Sequence, residues 1–290
     1  MKVVITGAGG FIGQYMMKAL KTQGHEVLGL DLIPSEGVIE CDINSPKLAK
    51  YINKGDRVLH LAAVATFSGA ATKPYIAIRT NIEGLMNVVQ ACIKKGAERL
   101  VFTSSGAVYS KNIPDVPILE SAPTVPPSLY GITKKAGEDI IIHYGGELPF
   151  VILRYGYIYG QGKSWGAIGS FLQLLKEKKR PKIFGGEQAI DFTYIKDIVD
   201  ATILALETKH TNEVFNIGSG RAVKILHVCD YCVKALNSDI KPKILPSRKY
   251  DSLIFLYDIS KAKRLLGFEP KWRLFDGIRD MINYHFHRNV

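Results

Sequence analysis

The chain has 290 residues, of which 47% are hydrophobic and 22% charged, an ordinary globular composition with enough apolar material for a large core. No apolar run reaches the roughly eighteen residues of a membrane span, and Met1 leads straight into strand-forming residues with no signal-peptide layout, so a soluble cytoplasmic protein without membrane contact is expected. The formal net charge of +11 is spread along the chain; its densest run, Lys176 to Arg180, reads as the solvated end of a helix, so the excess suits small anionic ligands and nucleic acid is not the expected partner.

The first predicted strand, Val3 to Ile5, stops at a glycine cluster, and Phe11, Ile12, Tyr15, Met16, Ala19 and Leu20 follow at helical spacing. Gly7, Gly10 and Gly13 sit three apart. That spacing lets the backbone turn sharply, lets a phosphate approach the helix N-terminus without meeting a Cβ, and lets helix and strand pack closely. A pyrophosphate is the natural occupant. A second strand, Glu26 to Leu30, ends in Asp31, about twenty residues past the glycines, where a carboxylate accepts hydrogen bonds from both adenosine ribose hydroxyls and repels a 2′-phosphate. Asp31 therefore favours NAD over NADP. A short strand, Val38 to Cys41, runs into Asp42 and Ile43; Asp42 can accept from an adenine amino group, and Asn44 or Ser45 can cap a helix from Pro46 to Tyr51. The strand beginning at Arg57 carries His60, read as a packed residue, and ends in Leu61, Ala62 and Ala63, whose small side chains let backbone lie flat against a cofactor.

Helical spacing then extends from about Ala71 to Lys95 and returns the chain to a strand, Arg99 to Thr103. Helices alternating with strands predict a doubly wound parallel sheet. Ser104 and Ser105 close that strand, and ligands of such sheets collect at carboxyl ends, so these hydroxyls face the crevice. A proline-rich loop leads to Ser128-Leu129-Tyr130-Gly131-Ile132-Thr133-Lys134, the start of another helix. Tyr130 and Lys134 share one helical face, and an ammonium beside a phenol brings its pKa down from about 10 toward working pH. Further on, Cys229 and Cys232 fall into an apolar helical pattern with Val223, Leu226, Val233 and Leu236, which reads as core packing rather than a metal site.

These motifs together resemble the extended short-chain dehydrogenase/reductases, in particular the nucleotide-sugar epimerase/dehydratase branch that includes UDP-galactose 4-epimerase. The resemblance runs through Thr6 to Gly13, Asp42-Ile43, His60 to Ala63, Asn81, Ser104 to Tyr109, Tyr130 to Lys134, Leu153-Arg154-Tyr155, Tyr159-Gly160, Asp191 to Asp197, Asn216-Ile217-Gly218 and Asp258 to Ala262, essentially the whole chain. It implies a Rossmann domain of residues 1–155 plus about 189–216 and a smaller substrate-binding lobe of about 156–188 plus 217–290. It implies NAD held by Gly7, Gly10, Phe11, Ile12, Gly13, Asp31, Asp42, Ile43, Leu61, Ala62, Ala63 and Asn81, together with Tyr130 and Lys134. It further implies a catalytic set of Ser105, Tyr130 and Lys134: Tyr130 takes the proton of a sugar hydroxyl, Lys134 holds the nicotinamide ribose, and Ser105 hydrogen-bonds the sugar oxygen. Members of the family commonly form homodimers through the helix before the Ser105 strand and the helix of Tyr130; Leu85, Val88, Val89, Ala136, Ile140 and Ile141 suit either that contact or an internal core.

Departures from the family pattern bear on the substrate. Dehydratases of the branch place an Asp-Glu pair after the catalytic hydroxyl, where this chain has Gly106 and Ala107, so dehydration is not expected. Tyr157 and Ile190 replace two residues that usually hold the substrate diphosphate, while Arg248 retains a third. The primary expectation is a nucleotide-sugar 4-epimerase. Two alternatives stand beside it: a dehydrogenase or keto-reductase with net redox on a keto-sugar, small hydroxy acid or amino acid, and a non-catalytic NAD-binding regulatory protein.

Overall fold

An uninterrupted apolar run opens the chain and forms the first strand, β1 (Lys2–Thr6), of a buried parallel sheet. The structure is a computed structural model that describes residues 1–110, 116–247 and 254–286. After β1 come α1 (Phe11–Thr22), β2 (Glu26–Asp31), β3 (Val38–Glu40), β4 (Arg57–His60), α2 (Phe67–Thr72), α3 (Pro74–Ile78), α4 (Leu85–Lys95), β5 (Arg99–Ser105), α5 (Leu129–His143), β6 (Phe150–Tyr155) and β7 (Tyr157–Tyr159). The remainder gives α6 (Gly166–Lys176), β8 (Lys182–Phe184), β9 (Ala189–Tyr194), α7 (Ile195–Glu207), β10 (Glu213–Ile217), β11 (Ala222–Lys224), α8 (Ile225–Ala235), β12 (Lys243–Leu245), β13 (Ile254–Phe255), α9 (Ser260–Leu266) and α10 (Leu274–Phe286).

Seven strands make one sheet in the order β10-β6-β5-β4-β1-β2-β3, and each neighbouring pair is parallel. The pleat sends alternate residues to opposite faces. Val3, Ile5, Leu59, Val101, Val151 and Leu153 enter the core shared with Met16 and Leu20 of α1 and Ile198 of α7. Val4, Val58, Leu100, Phe102 and Ile152 enter a second core with Leu85, Val88 and Val89 of α4 and Ile141 of α5. Each fully buried aliphatic side chain contributes roughly 1.5–3 kcal/mol. Helices therefore cover both faces, as a doubly wound sheet requires. The direction of winding reverses between β1 and β4, so the crevice at their carboxyl ends is the natural ligand site.

Two local expectations are corrected. The helix expected from about 71 to 95 is broken, because Thr66 caps the short α2 and Pro74 starts a new helix, α3. A wider π-helical turn, Arg79–Gly84, then leads into α4. Proline fits a first turn but breaks the hydrogen-bond ladder of a continuing one. The segment after Ser45 is a 3-10 turn, Pro46–Lys50, in which the Ser45 hydroxyl accepts the Lys47 N–H at 3.2 Å.

Past β6 the chain builds a second, smaller sheet. β9 pairs in parallel with β7 and β13 and antiparallel with β11, while β8 and β12 form a separate parallel pair. Strand β9 thus belongs to the small sheet, and α7 and β10 carry the chain back to the large one. Helix α8 packs between α6 and α10 and buries Cys229 and Cys232 completely, as the apolar pattern around them predicts. Their core is continuous with the α1 face of the large sheet. Among the described residues, no helix is long and apolar enough to cross a membrane.

Candidate active site

The glycine turn is shaped by close backbone approach. Gly7 has φ 73°, and a Cβ there would lie 2.6 Å from the Ala62 nitrogen; one on Gly13 would lie 2.3 Å from the Gly7 oxygen. Only glycine fits either place. The N–H groups of Gly7 and Ala8 both donate to the Leu30 carbonyl, at 2.8 and 3.1 Å, which binds the turn to β2. Gly10 caps α1 with no side-chain partner, and the first turn of α1 carries no acid. Uncapped N–H groups at the positive end of a twelve-residue helix, unobstructed by side chains, fit a dinucleotide pyrophosphate.

Asp31 stands at the mouth of this turn. One carboxylate oxygen accepts the Gly9 N–H at 2.9 Å and the other the Ile33 N–H at 3.2 Å, so the residue also braces the turn, a role its spacing alone does not reveal. Asp42 is exposed and accepts from the Asn44 N–H and side-chain amide at 2.9 and 3.1 Å. Ile43 is buried against Gly84, and its carbonyl takes a hydrogen bond from Asn87. Leu61, Ala62 and Ala63 follow β4, half-buried beside the glycine turn, with the Leu61 N–H donating to Thr6 at 3.0 Å. Phe11 and Ile12 open α1. Asn81 is buried; its carbonyl oxygen accepts the Val64 N–H at 2.8 Å and its amide donates to the Thr133 hydroxyl at 2.9 Å. It joins the loop after β4 to the helix of Tyr130 and Lys134.

The residues expected to be catalytic come from β5 and α5. The Ser128 hydroxyl caps α5 by accepting the Gly131 N–H at 3.1 Å. A Cβ on Gly131 would lie 2.1 Å from the Ala107 oxygen, so the first turn of α5 rests directly on the turn after Ser105. That contact sets the Ser105 hydroxyl beside the Tyr130 phenol, where it favours the phenolate. Tyr130 is buried, with its ring edge-to-face against Phe67 at 5.6 Å. Lys134 is buried too; its Nζ donates to the Thr103 carbonyl at 2.7 Å and stands 4.9 Å over the Phe102 ring. Burial pulls the Lys134 ammonium down to about 8, with the Glu138 charge opposing. Burial raises the Tyr130 phenol above its usual value, and the Ser105 hydroxyl opposes that rise. The expectation that Lys134 draws the phenol pKa down is therefore not met, because desolvation dominates and the ammonium is engaged by a backbone carbonyl.

Beneath this set lies a network that the sequence reading missed. Tyr130, Lys134 and Glu138 follow at four-residue intervals on α5, and Glu138 accepts from the Ser104 hydroxyl at 2.5 Å and from two nitrogens of Arg154 at 2.9 and 2.7 Å. Arg154 donates onward to the Tyr109 hydroxyl at 2.9 Å, which donates to Asn216 at 2.6 Å. An acid one helical turn past Lys134 was the available signal. His60 is buried and shares a 2.7 Å hydrogen bond with Thr6, the packed role expected of it.

On the lobe side of the crevice, Tyr157 is 43% exposed and its ring meets Phe192 at 6.1 Å and Phe255 at 5.6 Å. Ile190 is half-buried on β9. A Cβ on Gly106 would lie 2.3 Å from the Tyr257 hydroxyl and 2.4 Å from the Phe255 ring, so the position after Ser105 has no room for a carboxylate. Asp191 holds the loop after β10 against β9 by accepting from the Ser219 N–H and hydroxyl at 2.7 and 2.6 Å and from the Gly220 N–H at 3.0 Å. Arg248 lies outside the described residues.

Known proteins resemble this chain over nearly its whole length. Residues 3–218 match the NAD dependent epimerase/dehydratase family. The UDP-glucuronate 4-epimerase of Thermodesulfobacterium geofontis is 30% identical over 97% of this chain and 95% of its own length. Among solved structures, the UDP-glucose 4-epimerase of Thermotoga maritima with UDP-glucose has a TM-score of 0.94 at 29% identity, with 100% of each chain covered. The UDP-glucuronic acid 4-epimerase of Bacillus cereus in complex with UDP-glucuronic acid and NAD has a TM-score of 0.89 at 30% identity, covering 99% of this chain and 100% of its own.

Proposed function

The chain belongs to the NAD-dependent epimerase/dehydratase family, and on that premise we propose that it is an NAD-dependent nucleotide-sugar 4-epimerase acting on a UDP-hexose or UDP-hexuronic acid. The observation that carries this reading is the placement of the Ser105 hydroxyl beside the Tyr130 phenol, one helical turn from Lys134 and at the carboxyl edge of the sheet that bears the glycine turn.

NAD, when bound, supplies a reversible hydride acceptor. The residues that fit it are Gly7, Gly10, Phe11, Ile12 and Gly13 at the pyrophosphate, Asp31 at the adenosine ribose, Asp42 and Ile43 at the adenine, and Leu61, Ala62, Ala63 and Asn81 along the crevice. Tyr130 accepts the proton of the sugar hydroxyl as the C–H bond beneath it breaks and gives it back when that bond re-forms on the other face. Ser105 holds the same sugar oxygen, so its donor and acceptor capacity stabilises both the hydroxyl and the keto form. Lys134 keeps a positive charge near the phenol and orients the ribose. The rings over Gly106 leave no acid to protonate a leaving hydroxyl, which supports epimerisation over dehydration.

The small lobe, which on the structure takes in β9 and so spans about 156–194 plus 217–290, takes the sugar nucleotide, with Tyr157 at its exposed aromatic edge and Arg248 as a diphosphate partner. A homodimer through α4 and α5 accompanies this reading. Leu85, Val88 and Val89 are consumed by the internal core, whereas Ile132 and Ile142 on α5 are exposed and available. Four free cysteines accord with a reducing, cytoplasmic setting.

A second reading, net oxidation or reduction of a keto-sugar or small hydroxy acid, draws support from Tyr157 and Ile190 at the usual diphosphate anchors. The deciding experiment incubates the purified protein with UDP-glucose, UDP-galactose and UDP-glucuronate, follows products by NMR, and measures dinucleotide released on denaturation. Sugar interconversion without net redox is expected, and Tyr130→Phe should lose about 10²–10⁴-fold in turnover while keeping its dinucleotide. Accumulation of reduced dinucleotide would favour the second reading, and an active Tyr130→Phe would place the base elsewhere.

A further inference from the structure

Lys163 lies in the turn after β7, outside every residue set considered so far. Its Nζ donates to the Ile158 carbonyl at 2.7 Å. The ammonium stands 5.8 Å from the centroid of Phe11 and 5.6 Å from that of Trp165, and these two rings meet edge to face at 5.9 Å. Phe11 is the first residue of α1, the helix with the uncapped N-terminus. The turn is fastened there at further points. The Tyr15 hydroxyl donates to the Gln161 carbonyl at 2.9 Å, and the missing side chain of Gly160 lets backbone pass within contact of Ile195 and Phe11.

The charge of this lysine is uncompensated. Burial pulls its ammonium down to about 8, and no charged neighbour among the described residues offsets that. One carbonyl satisfies one of three N–H donors, and two aromatic faces attract a cation more weakly than an anion does. A partly buried cation without a counter-charge is costly, and so is a helix N-terminus whose N–H groups lack an acceptor. One anion between them relieves both costs.

We propose that Lys163 is a binding residue for the dinucleotide pyrophosphate at the N-terminus of α1, with Phe11 and Trp165 flanking the ion pair. The inference rests on the NAD reading above. It also explains why a lysine occupies a partly buried position on the lobe side of the crevice: it couples the turn after β7 to the cofactor, so that the lobe and the glycine turn close on one group.

The test compares the unaltered protein with Lys163→Met and Lys163→Arg. NAD retained per chain after extended dialysis is measured, and ADP, UDP and adenosine are titrated calorimetrically into the dinucleotide-free fraction. Lys163→Met should weaken NAD and ADP about ten- to hundredfold, the worth of one charge-assisted hydrogen bond, and leave adenosine and UDP unchanged. Lys163→Arg should recover most of the loss. Unchanged NAD and ADP binding would mean that Lys163 only ties down Ile158, and an equal loss of adenosine would mean a collapsed site; either overturns the proposal. Weakening of UDP alone would assign the lysine to the substrate diphosphate and overturn it as well. An unaltered protein that binds no dinucleotide would instead reject the cofactor reading on which the inference stands.

Discussion

Arg154 and Glu138 form a two-point ion pair in the protein interior, with Nε–Oε1 at 2.9 Å and Nη2–Oε2 at 2.7 Å and side chains only 7% and 1% exposed. The pair ties α5, which carries Tyr130 and Lys134, to β6 and, through Ser104, to the end of β5. Burial opposes the guanidinium charge, but the hydrogen bonds and charge of Glu138 outweigh it and hold Arg154 above its ordinary pKa. Arg154→Met strands the carboxylate and should cost about 3–5 kcal/mol in urea unfolding. The double variant Arg154→Met/Glu138→Leu should be more stable than that single one, and additive losses would show the two to be uncoupled.

Asp31 braces Gly9 and, in the proposed cofactor site, presents negative charge where a 2′-phosphate would sit. Asp31→Asn keeps an acceptor for the Gly9 N–H and removes the charge. The ratio of NAD to NADP dissociation constants should rise by about tenfold or more, equivalent to about 1.4 kcal/mol. A ratio equal to that of the unaltered protein would show that discrimination lies elsewhere.

Gly106 is hemmed in by Tyr257 and Phe255. Gly106→Asp should therefore destabilise the fold by about 1–3 kcal/mol through overpacking and yield no dehydrated sugar. Chemical denaturation and product analysis by NMR check both halves. Adding Phe255→Ala should recover part of the stability, and a Gly106→Asp protein as stable as its parent would show the rings to be easily displaced.

His60 is held neutral in the fold, its pKa lowered from 6.5 to about 3 by burial and then by the charge of Lys134. The unfolded chain takes up a proton below the unperturbed value that the folded chain refuses, so stability falls as pH drops from 6.5 toward 3. His60→Gln should flatten this dependence by about one proton while retaining a partner for Thr6. Thermal unfolding across mildly acid pH would show parallel curves for the two proteins if His60 were not responsible.

The glycine turn, Asp31, the hydroxyl at the end of β5 and the Tyr130–Lys134 spacing were all legible in the sequence. Each depends on backbone geometry or helical period within one short segment, which residue order states directly. The break at Pro74 was legible in principle, since Thr66 and Pro74 are ordinary start signals, but the strong apolar period of α4 masked it. Glu138 carried a periodic signal as well. Lys163 carried none, because its neighbours Phe11 and Trp165 come together only when the turn after β7 folds onto α1.

By itself the residue order determined a parallel doubly wound sheet, the glycine turn at its crevice and the side chains proposed as catalytic. Only the tertiary structure decided the charge environment of those side chains and the shape of the sugar end. The raised phenol of Tyr130, the Thr103 carbonyl bound to Lys134 and the rings closing over Gly106 all arise from segments distant in sequence. Desolvation and steric exclusion are properties of what surrounds a group, and that is settled only when those segments meet.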